Sequence, residues 1–134
     1  MSSHLFWENL QDRLHLLVDA FPGVAGVAVR DVTGGGGLSL NGDEVFPTAS
    51  TIKIHVLMQL LARAEAGEVD LAEPIVLDQQ EIVQGSGVLW HLTGPLTLSL
   101  RDIATLMIIV SDNTATNVCI ERADIDGTNG LLRC

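Results

Sequence analysis

The sequence is poor in several residue types, with no tyrosine, two cysteines, and seven lysine and arginine residues against 17 acidic ones. DNA, RNA and anionic lipids are bound through clustered Lys and Arg, so a net charge of -10 does not favour them as partners. Cys119 falls within an apolar helical pattern and Cys134 is the last residue. The two cysteines therefore predict a small buried residue and a loose end, and they do not indicate a disulfide framework.

Long apolar runs are also absent. The longest purely apolar stretch, residues 106–110, is far shorter than the roughly 20 residues that cross a bilayer. The first residues lack a basic start followed by an apolar stretch, so we expect a soluble chain that is cytoplasmic or is exported after removal of a signal. The hydrophobic content of 47% is enough for a packed core in one modest domain, or in part of a larger one.

Hydrophobic spacing in the first 47 residues predicts one helix and two strands. Residues 5–18 repeat apolar side chains at helical spacing, which predicts an amphipathic helix that ends before 21–23 and lies against a sheet. Segments 26–32 and 38–40 predict two antiparallel strands on either side of the glycines at 34–37. No Lys-Ser/Thr pair and no helix start follow these glycines, so they indicate a turn and not a phosphate loop.

Three further helices are expected in the rest of the chain. Segment 50–66 is apolar around most of its circumference, which predicts a helix buried on nearly all sides. Segment 71–100 is interrupted by glycines and a proline, so we expect loop and short helix there. Segments 100–110 and 114–122 predict the other two helices.

Ser50 and Lys53 lie three residues apart at the start of the buried helix pattern. That spacing places both side chains on one helix face, about 4.5 Å apart along the axis. A hydroxyl becomes a good nucleophile when a base removes its proton, and a buried lysine can be that base. The start of a helix also offers unpaired N–H groups to a developing oxyanion. However, Ser-x-x-Lys occurs by chance in roughly one of two chains of this length.

A second motif, Ser111-Asp112-Asn113, is expected by chance in only about one chain in fifty. By itself it is also compatible with a loop that caps a helix. The two motifs are 61 residues apart, and each adjoins a helix pattern that is apolar nearly all round. Their combination is more specific than either motif alone.

Together with segment 85–89, the helix pattern of 98–117 and the hairpin before Pro47, the two motifs resemble the serine penicillin-recognising enzymes, most closely class A β-lactamases. The resemblance runs from about Phe6 to Cys134. It implies an incomplete α+β fold of the β-lactamase/transpeptidase type, made of the N-terminal helix, a two-strand hairpin and most of the helical region. Residues 1–134 would then be the N-terminal part of a single catalytic domain.

The resemblance also implies roles for individual residues. Ser50 would be the acylated nucleophile and Lys53 its proton partner, while Ser111 would relay a proton to the departing nitrogen. Asn113 would hold Lys53 and the amide of the substrate's side chain. Asp112 would be structural, with its carboxylate accepting hydrogen bonds from loop N–H groups.

Ser86 would line the mouth of the cleft, at a position where the family often has an aromatic residue. The histidines show no metal-ligand spacing, and His55 in the buried helix pattern is expected to be a satisfied core residue. No metal or other cofactor is implied. The expected partner is a small molecule, a β-lactam or a related amide or ester.

The sequence departs from the family after Asn113. The glutamate loop that activates the deacylating water and the strand carrying Lys-Thr/Ser-Gly are both missing from the chain. We therefore expect little or no activity from these 134 residues, and self-association through exposed apolar surface. The activity of a complete protein could be that of a serine β-lactamase, of a D-alanyl-D-alanine peptidase or of an esterase of the same fold. A non-catalytic β-lactam-binding or sensor module is a further alternative.

Overall fold

The computed structural model describes residues 3–124, 126, 127 and 130 and has an α+β fold. The chain divides into two compact units, Met1–Pro47 and Thr48–Cys134. All residues proposed above for the site belong to the second unit.

The first unit contains one helix and one hairpin, as the sequence predicts. Helix α1 spans Ser3–Ala20 and contacts the second of two strands, β1 (Val27–Arg30) and β2 (Gly37–Leu40). The strands are antiparallel, with Val27 opposite Leu40 and Arg30 opposite Gly37. In the turn between them, hydrogen bonds from Thr33 hold the pKa of the Asp31 carboxyl below its ordinary value.

The second unit contains the three remaining predicted helices. A 3₁₀ turn, Ala49–Thr51, runs directly into α2 (Ile52–Glu65). Helix α3 spans Leu100–Ile109, and α4 spans Asn113–Ala123. A further 3₁₀ turn, Leu89–His91, lies in the long connection that precedes α3.

This connection also holds a second hairpin, so the prediction of only loop and short helix for 71–100 is wrong. Strand β3 (Pro74–Leu77) pairs antiparallel with β4 (Leu96–Ser99). Each strand has only four residues, and the loop between them is too long to give a hairpin-turn signal. In β3, Ile75 and Leu77 are buried while their neighbours are exposed, so the hairpin covers the core with one face.

The core of the second unit lies between α2, α3, α4 and this hairpin. Its fully buried side chains come from every one of these elements and include Leu60, Leu77, Leu89, Leu100, Ile103, Met107, Ala115, Cys119 and Ala123. Burial raises the pKa of the Cys119 thiol to about 12, so Cys119 is a small apolar core residue, as predicted, and not a reactive thiol. Cys134 lies outside the described residues.

Helix α2 is less buried than its pattern predicts. Ile54, Met58 and Leu61 lie along one side of the helix and are 55%, 52% and 48% exposed. The prediction of burial on nearly all sides is therefore wrong for the described residues, because none of their elements covers this side. Within the same described range, no helix combines the length and the apolar character needed to cross a membrane.

Candidate active site

Ser50 lies in the 3₁₀ turn that leads into α2, and its side chain is exposed. The residue before it, Ala49, has a φ of +44°. Left-handed backbone of this kind is unfavourable for a residue with a Cβ and is often found at functional sites. Lys53 follows in the first turn of α2 and is only 6% exposed, so its ammonium group lies inside the protein although its neighbour Ser50 faces solvent.

Ser111 lies between α3 and α4 and also has a positive φ, +55°. Nζ of Lys53 donates hydrogen bonds to the carbonyl oxygen and to Oγ of Ser111, both at 2.8 Å. Oγ of Ser111 is in turn 2.9 Å from Oγ of Ser50. Hydrogen bonds thus join Ser50 and Lys53, at the start of α2, to Ser111, which follows α3. The Ser111 hydroxyl lies between the Ser50 hydroxyl and the Lys53 amine.

These three residues line an open cavity of about 420 Å³. The remaining lining residues are Thr51, Ile54, Met107 and Ile108, so most of the wall is apolar. Apolar walls displace water, and electrostatic interactions become stronger where water is displaced. The cavity can therefore hold a small organic molecule against two hydroxyl groups and one buried amine.

Asp112 fixes the loop beside this cavity, as the sequence analysis predicts. It is 1% exposed, and Oδ2 accepts hydrogen bonds from the N–H groups of Val88 (2.7 Å) and Leu89 (2.9 Å). Its Oδ1 accepts from the N–H of Ala115 at 3.0 Å, which caps the start of α4. The carboxylate therefore accepts three backbone hydrogen bonds and joins residues 88–89 to the start of α4.

Asn113 and Ser86 are neighbours, but through their backbones. The N–H of Asn113 donates to the carbonyl oxygen of Ser86 at 3.0 Å. The hydrogen bonds of Lys53 within the described part of the chain go to Ser111, not to Asn113 as the resemblance implies. Ser86 is exposed and is not one of the described residues that line the cavity.

Two features near the site were not predicted. Gly85 and Gly87 have φ values of +128° and +113° and lie against Asn113 and Asp112. In the sequence, the only sign of their unusual conformation is that these two glycines stand on either side of Ser86. The expectation of a satisfied His55 is also not met, because its Nδ1 is buried without a hydrogen-bond partner among the described residues.

Known proteins resemble this chain over most of its length. A family model described as the β-lactamase enzyme family matches residues 9–133. Among curated proteins, β-lactamase Toho-2 of Escherichia coli is 30% identical over 123 residues, which are 91% of this chain and 41% of that protein.

Solved structures also match most of this chain but only about half of their own length. A β-lactamase from Sphaerobacter thermophilus is 38% identical with a TM-score of 0.79, over 87% of this chain and 44% of that one. A mutant of PBP-A, solved as an acyl-enzyme complex with penicillin G, is 33% identical with a TM-score of 0.84, over 94% and 48%. The chain thus spans about half the length of the relatives that it matches.

Proposed function

Because the chain belongs to the β-lactamase enzyme family, we propose that its site performs serine acyl transfer, with Ser50 as the nucleophile. The substrate would be a β-lactam or a related amide or ester. The observation that carries this proposal is the chain of hydrogen bonds from Ser50 through Ser111 to Lys53, at the edge of a cavity with apolar walls. A nucleophile within hydrogen-bond reach of a base is the arrangement that covalent catalysis needs.

In the proposed reaction, Lys53 acts in its uncharged form as the base. The Ser50 hydroxyl passes its proton to Oγ of Ser111, and Ser111 passes its own proton to Nζ of Lys53. Oγ of Ser50 then forms a bond to the carbonyl carbon of the substrate. As the carbon–nitrogen bond breaks, the proton returns from Lys53 through Ser111 to the departing nitrogen.

The developing oxyanion needs hydrogen-bond donors, and the N–H of Ser50 is one candidate. It belongs to the turn that leads into α2, where N–H groups lack partners within the helix and the helix dipole favours negative charge. Asn113 would contribute at the other end of the substrate, through its side-chain amide. Ser86, which holds the N–H of Asn113, would contact the substrate at the mouth of the cavity.

A second function is favoured by one of the comparisons. The PBP-A mutant forms an acyl-enzyme complex with penicillin G, and it resembles this chain as closely as the β-lactamase structures do. A protein that is acylated but deacylates slowly would be a peptidase, an esterase or a β-lactam-binding module. Acylation of Ser50 is common to these proposals, and the rate of deacylation separates them.

We expect a fluorescent or mass-labelled penicillin to acylate Ser50. The protein is incubated with the penicillin and digested, and the adduct is located by mass spectrometry. Ser50→Ala should abolish the adduct, whereas Ser39→Ala, which removes an exposed hydroxyl in the first unit, should leave it unchanged. An adduct on another serine, or persistent labelling of the Ser50→Ala protein, would contradict the assignment.

Turnover by the 134-residue chain should be very slow, even though Ser50, Lys53, Ser111 and Asn113 are present. In the family that the sequence resembles, the strand carrying Lys-Thr/Ser-Gly supplies a second oxyanion donor, and these 134 residues do not contain that strand. Loss of a single oxyanion donor typically costs about a hundred- to a thousandfold in rate. The chain covers only 41% to 44% of the length of such relatives. Hydrolysis of a chromogenic cephalosporin measures this directly. Rapid turnover by a monomer would show that the 134 residues suffice.

The same sample should self-associate through the exposed side of α2, which is apolar. Light scattering after size-exclusion chromatography gives the mass. Leu61→Glu should shift the chain towards monomer. The matched control Val76→Glu changes a similarly exposed side chain on β3 and should have no such effect. Equal masses for all three proteins would exclude this surface.

A further inference from the structure

The two glycines beside the site differ in what surrounds them. At Gly87, a Cβ would overlap the carboxylate of Asp112 and would lie 2.5 Å from its Cα. Neither can move easily, because three N–H groups hold the carboxylate and the Cα is part of the helix cap. Gly87 is therefore required by packing against the backbone.

At Gly85, a Cβ would meet only one side chain. It would overlap Nδ2 of Asn113 and lie 3.6 Å from Cγ of the same residue, and apart from its chain neighbours no other described residue lies within 4 Å. Nδ2 is at the free end of a side chain that can rotate. A methyl group at position 85 would therefore displace the Asn113 amide, and the φ of +128° would add backbone strain at position 85 itself.

The backbone of Asn113 is held firmly while its amide is not. Its N–H donates to the carbonyl oxygen of Ser86, and the preceding residue, Asp112, caps α4. The side-chain amide makes no hydrogen bond to any other residue that the structure describes. The available space therefore determines where the amide lies, and the missing side chain of Gly85 provides that space.

We propose that Gly85 is a positioning residue, which sets the place of the Asn113 amide by having no Cβ. An amide offers two donors and one acceptor, so it matches the acylamino group of a substrate's side chain. This use of the amide rests on the proposed function. The placement itself rests on the geometry of Gly85 and Asn113 and can be tested without any activity.

The direct test follows the side-chain NH₂ resonances of Asn113 in ¹⁵N–¹H spectra, assigned through their loss in Asn113→Ala. Gly85→Ala should move these resonances more than those of any other side-chain amide. Gly67→Ala is the control, since Gly67 also has a positive φ, +74°, but among the described residues beyond its chain neighbours a Cβ there would have no atom within 4 Å. Unchanged Asn113 resonances in a folded Gly85→Ala protein would overturn the proposal.

A double-variant comparison separates displacement from backbone strain. Gly85→Ala should lower the free energy of unfolding less in the Asn113→Ala background than in the original protein, because the overlap is gone and only the strain of a positive φ remains. Gly67→Ala should lower the free energy of unfolding equally in the two backgrounds. Equal costs for Gly85→Ala in both backgrounds would show that position 85 acts through backbone strain alone.

A third experiment compares the rates at which two β-lactam labels, with and without an acylamino side chain, acylate Ser50. A penicillin with an acylamino side chain should react about tenfold more slowly with Gly85→Ala, the expected effect of one lost hydrogen bond. Penicillanic acid, which lacks that side chain, should react at an unchanged rate. Equal slowing of both labels would contradict positioning of the amide. If the original protein is acylated by neither label, the proposed function fails for these 134 residues taken alone, while the spectra still decide the placement.

Discussion

Lys53→Arg is expected to lower the rate of acylation of Ser50 by at least about a hundredfold, the usual contribution of a positioned general base. Arginine keeps the positive charge but does not lose its proton under physiological conditions, so it cannot accept one from Ser111. The buried position of Lys53 and its two hydrogen bonds to Ser111 make this substitution decisive. The rate is measured as the growth of the penicillin adduct on Ser50.

Two controls accompany this measurement. Arg101→Lys makes the reverse exchange at an exposed position of α3 and should leave the acylation rate unchanged. Far-ultraviolet circular dichroism and the unfolding midpoint show whether the Lys53→Arg protein is folded. Lys53 is the only lysine of the chain. Lysine-selective ¹³C labelling of the original protein therefore gives signals from this side chain alone. Acylation within a few-fold of the original rate in a folded Lys53→Arg protein would make Lys53 a structural cation only.

The helices could be predicted because their signal is local. In α1 and α3, apolar side chains recur at helical spacing, and the observed ranges agree with the predicted ones within a few residues. The nearness of Ser50 and Lys53 is also local, since one helical turn separates them. The contact of both with Ser111 is not local, because it joins positions 61 residues apart. That contact was expected only because the two motifs together resemble a known family.

The features that the sequence does not predict all depend on what surrounds a segment in the folded protein. Strands β3 and β4 are four residues each, and their pairing across a long loop leaves no periodic signal. The apolar circumference of α2 predicts burial, but the described residues do not supply a cover for Ile54 and Leu61. Gly85 is similar, because its importance comes from the Asn113 amide beside it.

Asp112→Ala is expected to lower the free energy of unfolding by about 3–5 kcal/mol. The substitution leaves the N–H groups of Val88, Leu89 and Ala115 without their acceptor. Leu89 and Ala115 are fully buried while Val88 is 39% exposed, and each buried unpaired group costs about 1–3 kcal/mol. Water entering the space left by the carboxylate would satisfy some of these groups, which places the total below the largest sum. The loss is a large part of the stability of a typical domain, about 5–15 kcal/mol.

Urea unfolding followed by circular dichroism measures this loss, and a second aspartate provides the matched control. Asp102 also lies in the first turn of a helix, but it is exposed and accepts its side-chain hydrogen bond from the hydroxyl of Ser99. Asp102→Ala should therefore cost no more than about 1 kcal/mol. Asp112→Asn retains one acceptor oxygen, so its loss of unfolding free energy should lie between those of Asp112→Ala and Asp102→Ala. A cost below about 1 kcal/mol for Asp112→Ala would mean that the loop over residues 86–89 is held by other contacts, and that Asp112 is not what fixes Ser111 beside Ser50.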